Sequence, residues 1–302
     1  CTTFNLERFA PVGTLSRSLV IRSANPGGNR GHLMLTMGAT GFVRNVEIRD
    51  MGRTTNEFIT PANPKGRYAA HLHFVNRTGF EFVGNAVHGA TKWGVVVHHT
   101  NGSLVRDNVV FQAMGAGVMT EDGTETDNRF DHNLVIGIGG DGGGAESRAN
   151  VQEFGTGGVG FWFQGPRNKV TNNVSADTLQ QGYILWGRDN PNEPLREFRD
   201  NEALAASIGV EIWFLGSYSA DSVIDHFYEW HSGTAFYGYP SVRVILQDFT
   251  SRGDPANLNP ESYKTGVTFG DYSAPGAKLV RPDIQHKSYG IDRKSTRLNS
   301  SH

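Results

Sequence analysis

The chain is poor in cysteine, in net charge and in long apolar runs. Its single cysteine, Cys1, excludes an internal disulfide framework and a zinc ribbon. The 28 Lys and Arg residues against 30 Asp and Glu residues give a net charge of −2, which argues against a nucleic-acid surface that depends on bulk charge. No stretch approaches the roughly 18 apolar residues of a membrane span. We therefore expect neither a nucleic-acid partner nor a transmembrane segment.

Glycine is abundant instead, with 38 residues among 302, and a short asparagine motif repeats along the chain. Apolar residues flank the asparagine in FVRNVEI (Asn45), FVGNAVH (Asn85), LVRDNVV (Asn108), FDHNLVI (Asn133) and VTNNVSA (Asn173). The two middle intervals between these asparagines are nearly equal, and the first and last intervals are longer. They predict a solenoid of about 24 residues per coil, with insertions in the longer intervals.

Short runs rich in Val, Phe, Ile, Trp and Tyr lie between the glycines and predict strands, as in WGVVVHH, GVGFWFQ, QGYILWG and VEIWFLG. Three strands and three turns per coil give an all-β fold, a right-handed parallel β-helix. The glycines then serve turns that need a positive φ, and the asparagines form a ladder between coils. Residues 190–208 (NPNEPLREFRDNEALAASI) predict one short helical insert.

One β-helix domain is expected over residues 1–291, with loop insertions at 53–66 and 139–158. The last residues, KSTRLNSSH, have no apolar period and resemble translated sequencing-adapter read-through. We expect residues 292–302 to be a non-native tail, and the chain to be a fragment whose N-terminal part is missing.

Candidate chemistry appears when AHLHF, VVVHH and VMTED are aligned in one register. The alignment places His73, His98 and Glu121 in one column, each separated from the next by the length of one coil. Strand alternation turns this column outward. It turns His71, Val96 and Met119 outward as well, and Leu72, Val97 and Thr120 inward.

Two imidazoles and a carboxylate at strand spacing fit a metal-ligand set or an acid/base centre. The expected catalytic residues are Glu121, Asp122, His73 and His98. The expected metal ligands are His71, His73, His98 and Glu121, and the expected substrate-binding residues are Arg67, Tyr68, His71, His99, Trp162 and Gln164. The structural alternative is that the outward histidines are solvated surface residues.

Two further features bear on ligands. Residues 121–128 (EDGTETDN) offer oxygen ligands for Ca²⁺, although an acidic turn explains them equally well. The outward aromatics Trp162, Trp186 and Trp213 offer flat surfaces to sugar rings, or pack at coil edges. The GxGxxG match at 155–160 is followed by the strand FWFQ and not by a helix, which argues against a dinucleotide site.

Several segments, in order along residues 15–190, resemble the β-helix of one family. They are LSRSLVIRS, GHLMLTMG, VEIRDMGR, RYAAHLHF, VVVHHTNG, MTEDGTETDNRFDHNLV and FWFQGPRNKVTNN. The stretch is similar to the family of the cell-migration-inducing hyaluronan-binding protein and the transmembrane cell-surface hyaluronidase. In that family a domain named for its eight glycines precedes it. Where animal members carry RYP and HFH, this chain has RYAAHLH at 67–73.

The resemblance implies a secreted, cell-surface or periplasmic protein that handles a glycosaminoglycan-like polysaccharide. Hyaluronan depolymerisation and calcium dependence are the family traits, so Ca²⁺ or another divalent ion is the expected cofactor. We expect a glycosidase-type enzyme for a hyaluronan-like glycan, in a microbial or metagenomic relative. Two alternatives stay open: a non-catalytic carbohydrate-binding or adhesion module, and a polysaccharide lyase.

Overall fold

Short strands follow one another along the chain in a repeating order over three faces. The computed structural model describes residues 10–53, 59–75, 79–141, 154–187, 192–255, 265–270 and 276–293. The first strands are β1 (Leu19–Arg22), β2 (Leu33–Leu35), β3 (Phe42–Arg44), β4 (Val46–Arg49), β5 (Ala70–His73), β6 (Glu81–Val83), β7 (Ala86–His88), β8 (Trp93–His98), β9 (Leu104–Arg106) and β10 (Val109–Phe111).

The middle strands are β11 (Ala116–Thr120), β12 (Arg129–Asp131), β13 (Leu134–Ile138), β14 (Val159–Gln164), β15 (Lys169–Thr171), β16 (Val174–Trp186), β17 (Glu197–Arg199), β18 (Glu202–Trp213), β19 (Leu215–Gly216) and β20 (Ser222–Asp225). The last are β21 (Tyr228–Trp230), β22 (Thr234–Gly238), β23 (Ser241–Val242), β24 (Val244–Gln247), β25 (Thr250–Arg252), β26 (Thr265–Phe269), β27 (Lys278–Val280), β28 (Asp283–Gln285) and β29 (Tyr289–Arg293).

Each strand pairs in parallel with the corresponding strand one coil later. The site face consists of β2, β5, β8, β11, β14, the second halves of β16 and β18, β22, β26 and β29. The second face consists of β3, β6, β9, β12, β15, β17, β20, β24 and β27. The third face consists of β1, β4, β7, β10, β13, the first halves of β16 and β18, β21, β25 and β28. This order confirms the predicted parallel β-helix.

The length of each coil follows from the register. His73 pairs with His98, which lies 25 residues later in the chain. Glu229 pairs with Ser251, which lies 22 residues later. The step from Asp131 to its partner Thr171 takes 40 residues, because the predicted insertion after residue 138 lies in this coil. The strands resume their register after it, so the insertion leaves the stacking of the faces unchanged.

The predicted helical insert over 190–208 is wrong. Residues 197–199 and 202–213 are β17 and β18, and residues 188–191 lie outside the described residues. β18 pairs with β16 from Glu202 to Trp213, apart from one irregularity between Thr178 and Gln181 of β16. Parallel pairing of two long strands satisfies more backbone groups than a short isolated helix does, and it buries Ala203 in the core.

An asparagine ladder links five coils beneath the turn that leads into the third face. The Oδ1 of Asn108, Asn133, Asn173 and Asn201 each accepts hydrogen bonds from the backbone N–H and side-chain amide of the preceding asparagine, starting at Asn85, at 2.9–3.1 Å. The predicted ladder is thereby confirmed from Asn85 to Asn173. Asn45 does not belong to it, because Asn85 accepts instead from the backbone N–H of Val46.

The interior is filled by inward side chains of all three faces, among them Leu72, Val97, Phe161, Ile212 and Phe236, all inaccessible to solvent. The last strand continues to Arg293, past the predicted domain boundary at 291, and residues 294–302 lie outside the described residues. Within the ranges that the structure describes, no helix has the length and hydrophobicity needed to cross a bilayer.

The ladder gives a stability prediction. Asn133→Ala removes the acceptor of Asn108 and the donor to the Val105 carbonyl, leaving buried polar groups unpaired. We expect it to lower the free energy of unfolding by about 2–4 kcal/mol, measured by urea denaturation. The matched control is Asn45→Gly. Asn45 is exposed and outside the ladder, and glycine is compatible with its φ of 54°. An equal loss in both variants would contradict the role of the ladder.

Candidate functional site

The candidate site lies where β5, β8 and β11 end on the site face. His73 pairs with His98, and Val97 pairs with Thr120, so the next residue, Glu121, aligns with His98. The N–H of Glu121 donates to the Val97 carbonyl at 3.1 Å, which continues the ladder past the end of β11. The register therefore brings the predicted column of His73, His98 and Glu121 together.

Beside the column, apolar side chains on the outer side of the site face are buried and exclude water. Tyr68, Trp93, Val96, Met119 and Trp162 belong to a second apolar cluster outside the solenoid, which Phe154 from the long insertion completes. Two buried hydrogen bonds hold the end of that insertion in place: Lys92 Nζ donates to the Phe154 carbonyl at 2.8 Å, and Trp93 Nε1 to the Gly155 carbonyl at 2.7 Å. These outward residues of the second apolar cluster are therefore buried and not solvated.

Glu121 is buried at the inner end of the site, with 1% of its surface exposed. The Tyr68 hydroxyl donates to its Oε1 at 2.9 Å, and Lys65 Nζ lies 3.8 Å from the same oxygen. Burial raises the pKa of the Glu121 carboxyl, against the opposing effect of His98 and the Tyr68 hydrogen bond. Burial, together with the charge of Glu121, holds the pKa of the Tyr68 phenol well above its usual range, so Tyr68 acts as a donor.

His98 stands between the two carboxylates. Its Nδ1 lies 3.4 Å from Glu121 Oε2, and its Nε2 lies 2.6 Å from Asp122 Oδ2. His99 Nε2 approaches the same Asp122 oxygen at 2.9 Å. Burial lowers the pKa of His98, but the hydrogen bond to Asp122 and the charge of Glu121 outweigh burial and raise it above the ordinary value. Asp122 is the more accessible carboxylate, with 27% of its side chain exposed.

Glu125 shapes the turn that presents Asp122, a role that the sequence did not reveal. Its buried carboxylate accepts the backbone N–H groups of His99 at 2.9 Å, Asp122 at 3.3 Å and Gly123 at 2.8 Å. These bonds satisfy the Glu125 oxygens inside the protein. Of the carboxylates that might serve Ca²⁺ in 121–128, Glu125 is therefore committed to the backbone.

His71 lies deeper than the other imidazoles of the site, with 1% of its surface exposed. Its Nδ1–H donates to the Gly66 carbonyl at 3.0 Å, and its Nε2 is sealed from solvent with no hydrogen-bond partner in the described part of the chain. Burial lowers the pKa of His71 to about 3. His73 Nδ1 lies 3.0 Å from His98 Nδ1, and burial followed by the charge of His98 lowers the pKa of His73.

The remaining predicted substrate-binding residues are placed differently from one another. Trp162 and Gln164 are buried, Trp162 in the second apolar cluster and Gln164 in the column next to Glu121, so neither presents its side chain to solvent here. Arg67 is half-buried. The pKa of the exposed His32 is lowered, first by partial burial of the imidazole and then by the positive charge of Arg67. Lys65 and His32 are site neighbours that sequence analysis missed, because both belong to aperiodic segments before a strand.

The column continues as an aromatic track on later coils. Gln164 pairs with Trp186, and Trp186 pairs with Trp213. Ile212 pairs with Gly238, so Tyr239 takes the next position. The Trp186 and Trp213 rings are 5.0 Å apart between centroids, and all three aromatic side chains are partly accessible. At about 4.8 Å per coil, the track extends roughly 19 Å from Glu121.

The buried imidazole of His71 makes stability depend on pH. Its folded-state pKa lies below the unfolded value of 6.5, so the unfolded chain binds the extra proton. Stability is full above pH 6.5 and falls as the pH drops towards about 3. Between pH 7 and pH 5 this costs about 2 kcal/mol. We expect His71→Asn to flatten this dependence in urea denaturation with chelator present. Equal slopes for the wild type and His71→Asn would contradict the burial of a neutral ring.

Comparisons with known proteins agree with this architecture. The family model of the CEMIP beta-helix matches residues 28–211, more than half of the chain. The chain is 30% identical over 115 residues to human "Cell surface hyaluronidase CEMIP2", covering 35% of this chain and 8% of that protein. It is 25% identical over 157 residues to "Fibrocystin-L" of Mus musculus, covering 51% of this chain and 3% of that protein.

Among solved structures, the catalytic domain of a GH87 alpha-1,3-glucanase in complex with nigerose aligns with a TM-score of 0.50 and 13% identity. The alignment covers 96% of this chain and 62% of that one, and the similarity is one of fold. The chain spans less than a tenth of the length of the curated relatives named above. The matched range contains Tyr68, His71, His98, Glu121 and Trp186. The chain belongs to the CEMIP beta-helix family.

Proposed function

We propose that the site face is the active centre of an extracytoplasmic enzyme, secreted, cell-surface or periplasmic, that cleaves a hyaluronan-like glycan by hydrolysis. The observation that carries this proposal is the composition of one outward column. Its first coils hold Glu121 and Asp122 on either side of His98, and its later coils hold Trp186, Trp213 and Tyr239. Acid/base groups and a stacking surface thus lie along one line parallel to the β-helix axis.

The two carboxylates differ in environment, as glycoside hydrolysis requires. Enzymes of this type use one carboxyl group as a general acid and a second as a base or nucleophile. Glu121 is buried against Tyr68, and Asp122 is partly exposed beside His98 and His99. In the proposal, Asp122 takes a proton from the attacking water, and Glu121, which is 1% exposed, gives a proton to the leaving glycosidic oxygen once binding of the glycan uncovers it. His98 orients both, and His73 contacts the His98 ring.

The surroundings suit an acidic polymer. Lys65, with 45% of its side chain exposed, lies 3.8 Å from Glu121, and with the half-buried Arg67 two residues later it provides positive charge for a uronate group. The partly accessible faces of Trp186 and Trp213 offer flat apolar surfaces, on which the apolar face of a pyranose ring packs. The chain carries a net charge of −2, so attraction of a polyanion depends on this local surface.

The position of Tyr68 argues against a lyase that uses a tyrosine as its base. A lyase needs a base that reaches the proton on C5 of a uronate. Tyr68 is the phenol nearest the site, but its ring is buried against Trp93 and its hydroxyl is engaged with Glu121. It is therefore placed to position Glu121 and not to touch a sugar.

Cleavage provides the direct test. The purified protein is incubated with hyaluronan, chondroitin sulfate, alginate and an α-1,3-glucan, and polymer length is followed by size-exclusion chromatography and new reducing ends. We expect Glu121→Gln and Asp122→Asn each to lower the rate by about 10²–10⁴-fold. The matched control is Asp225→Asn, from a second Asp–His–Asp cluster outside the site face.

Three outcomes would contradict the proposal. Unchanged cleavage in both variants would remove the assigned roles. Products with the ultraviolet absorbance of an unsaturated uronate would identify a lyase. Saturable binding of a glycan without any shortening would identify a binding module.

The aromatic track gives a separate prediction. Trp186→Ala and Trp213→Ala remove stacking surface worth about 1 kcal/mol each, so we expect KM for a long glycan to rise about three- to tenfold with kcat little changed. Trp230→Ala is the control, because Trp230 is exposed on the third face. An equal effect in Trp230→Ala, or a loss confined to kcat, would show that the track does not bind the polymer.

A further inference from the structure

We propose that His71, His73 and His98 form a binding site for one first-row transition-metal ion, with zinc(II) as the ion that the donors fit best. Ligand nitrogens of these three residues all lie within 4.8 Å of one another. Because metal binding by the isolated protein is measured without any glycan, the inference stands or falls independently of the proposed cleavage.

The first argument is the buried nitrogen of His71. Its Nε2 is sealed from solvent and has no hydrogen-bond partner among the residues that the structure describes, and His71 belongs to the cluster. A buried polar atom left unpaired costs about 1–3 kcal/mol, so its retention at this position calls for a ligand. An ion bound by the three imidazoles would supply the missing partner.

The second argument is that hydrogen bonds to groups outside the cluster hold one nitrogen of a ring, so that the other nitrogen faces the cluster. His71 Nδ1–H donates to the Gly66 carbonyl at 3.0 Å, which leaves Nε2 as the lone-pair nitrogen. His98 Nε2 lies 2.6 Å from Asp122 Oδ2, which leaves Nδ1 to face His73 Nδ1 at 3.0 Å, with Glu121 Oε2 at 3.4 Å. Metal-binding histidines are held in this way by a carbonyl or carboxylate on the other ring nitrogen.

The third argument is spacing. His73 Nδ1 and His98 Nδ1 are 3.0 Å apart. Two nitrogens on one tetrahedral zinc ion are about 3.3 Å apart, given Zn–N distances of about 2.0–2.1 Å. For this pair only a small displacement is needed to accept the ion, and the His71 nitrogen lies within 4.8 Å of both. Three protein ligands and one open position are the arrangement of catalytic zinc sites, where the ion acts as a Lewis acid.

The donor type selects the ion. Calcium takes six to eight oxygen ligands, whereas imidazole nitrogen suits zinc, cobalt, nickel and copper. The cluster offers three nitrogens, and the nearby Glu125 carboxylate is occupied by backbone N–H groups. This donor set does not fit calcium, the ion that the family resemblance implied.

Two further clusters occur among the described residues. His98, His99 and Asp122 share His98 with the proposed site, and the other cluster makes a useful contrast. Asp225, His226 and Asp248 also bring ligand atoms within 4.8 Å of one another. However, Arg281 donates to both oxygens of Asp248 at 2.5 and 2.6 Å, and Gln247 donates to Asp225 at 2.9 Å. Its His226 is exposed. The arginine already supplies the positive charge there, so we expect no tight ion binding at that cluster.

The experiment is a titration of chelator-stripped protein with Co²⁺, followed by visible absorption, then by competition with Zn²⁺ and Ca²⁺. We expect one equivalent of cobalt with the intense absorption of low-coordinate Co²⁺, displacement by zinc, and no displacement by calcium in large excess. His73→Ala and His98→Ala should weaken binding at least about 100-fold, and His226→Ala should not change it.

Folding of the variants is checked by circular dichroism and Tm. His73 is the key position because it is half-buried, so its truncation is tolerated by the fold. Zinc should raise the Tm of the wild type and of His226→Ala, but not that of folded His73→Ala. Absence of cobalt binding in the wild type, equal binding in His73→Ala, or displacement by calcium would each overturn the site. Metal binding without glycan cleavage would contradict only the proposed enzyme activity.

Discussion

The parallel register of the site face is the constraint on which the rest of the structure depends. Because side chains alternate along a strand, a slip of one residue between coils would turn the whole column to the interior. The pairing of His73 with His98 and of Val97 with Thr120 therefore decides that two imidazoles and a carboxylate share one surface. The asparagine ladder specifies the same register independently, since each amide accepts from only one neighbour in the coil before it.

Exclusion of water gives this surface its chemical character. An outward column on a β-helix would ordinarily be hydrated, and its histidines and carboxylates would titrate as they do in water. Here Phe154 and the aromatic residues of the second cluster cover the neighbouring positions. Burial then raises the pKa of Glu121 and lowers that of His71, while Asp122 stays accessible. Within a few residues, the side chains of the site thus change from buried to solvent-accessible.

The sequence predicted the coil, the ladder and the column well, because all three are periodic and each residue meets its counterpart one coil away. It failed where a contact is not periodic. Phe154 lies in an insertion without a pattern, so its packing on Trp162 was not visible. The stretch that forms β18 begins with EALAA, whose residues favour a helix locally, and the long partner strand β16 overrides that preference. The predicted place of Asn45 in the ladder was wrong by one residue, since the backbone N–H of Val46, and not Asn45, donates to Asn85.

Stacking at a constant rise also fixes the distance between the acid/base residues and the aromatic track. Loop insertions, such as that between Val118 and Phe161, lengthen the chain without changing this distance. Only a whole coil gained or lost between Glu121 and Trp186 would alter it, in steps of about 4.8 Å, close to the length of one sugar unit. Relatives of this chain are therefore expected to differ in the number of sugars they accommodate by integers, according to how many coils separate the two groups.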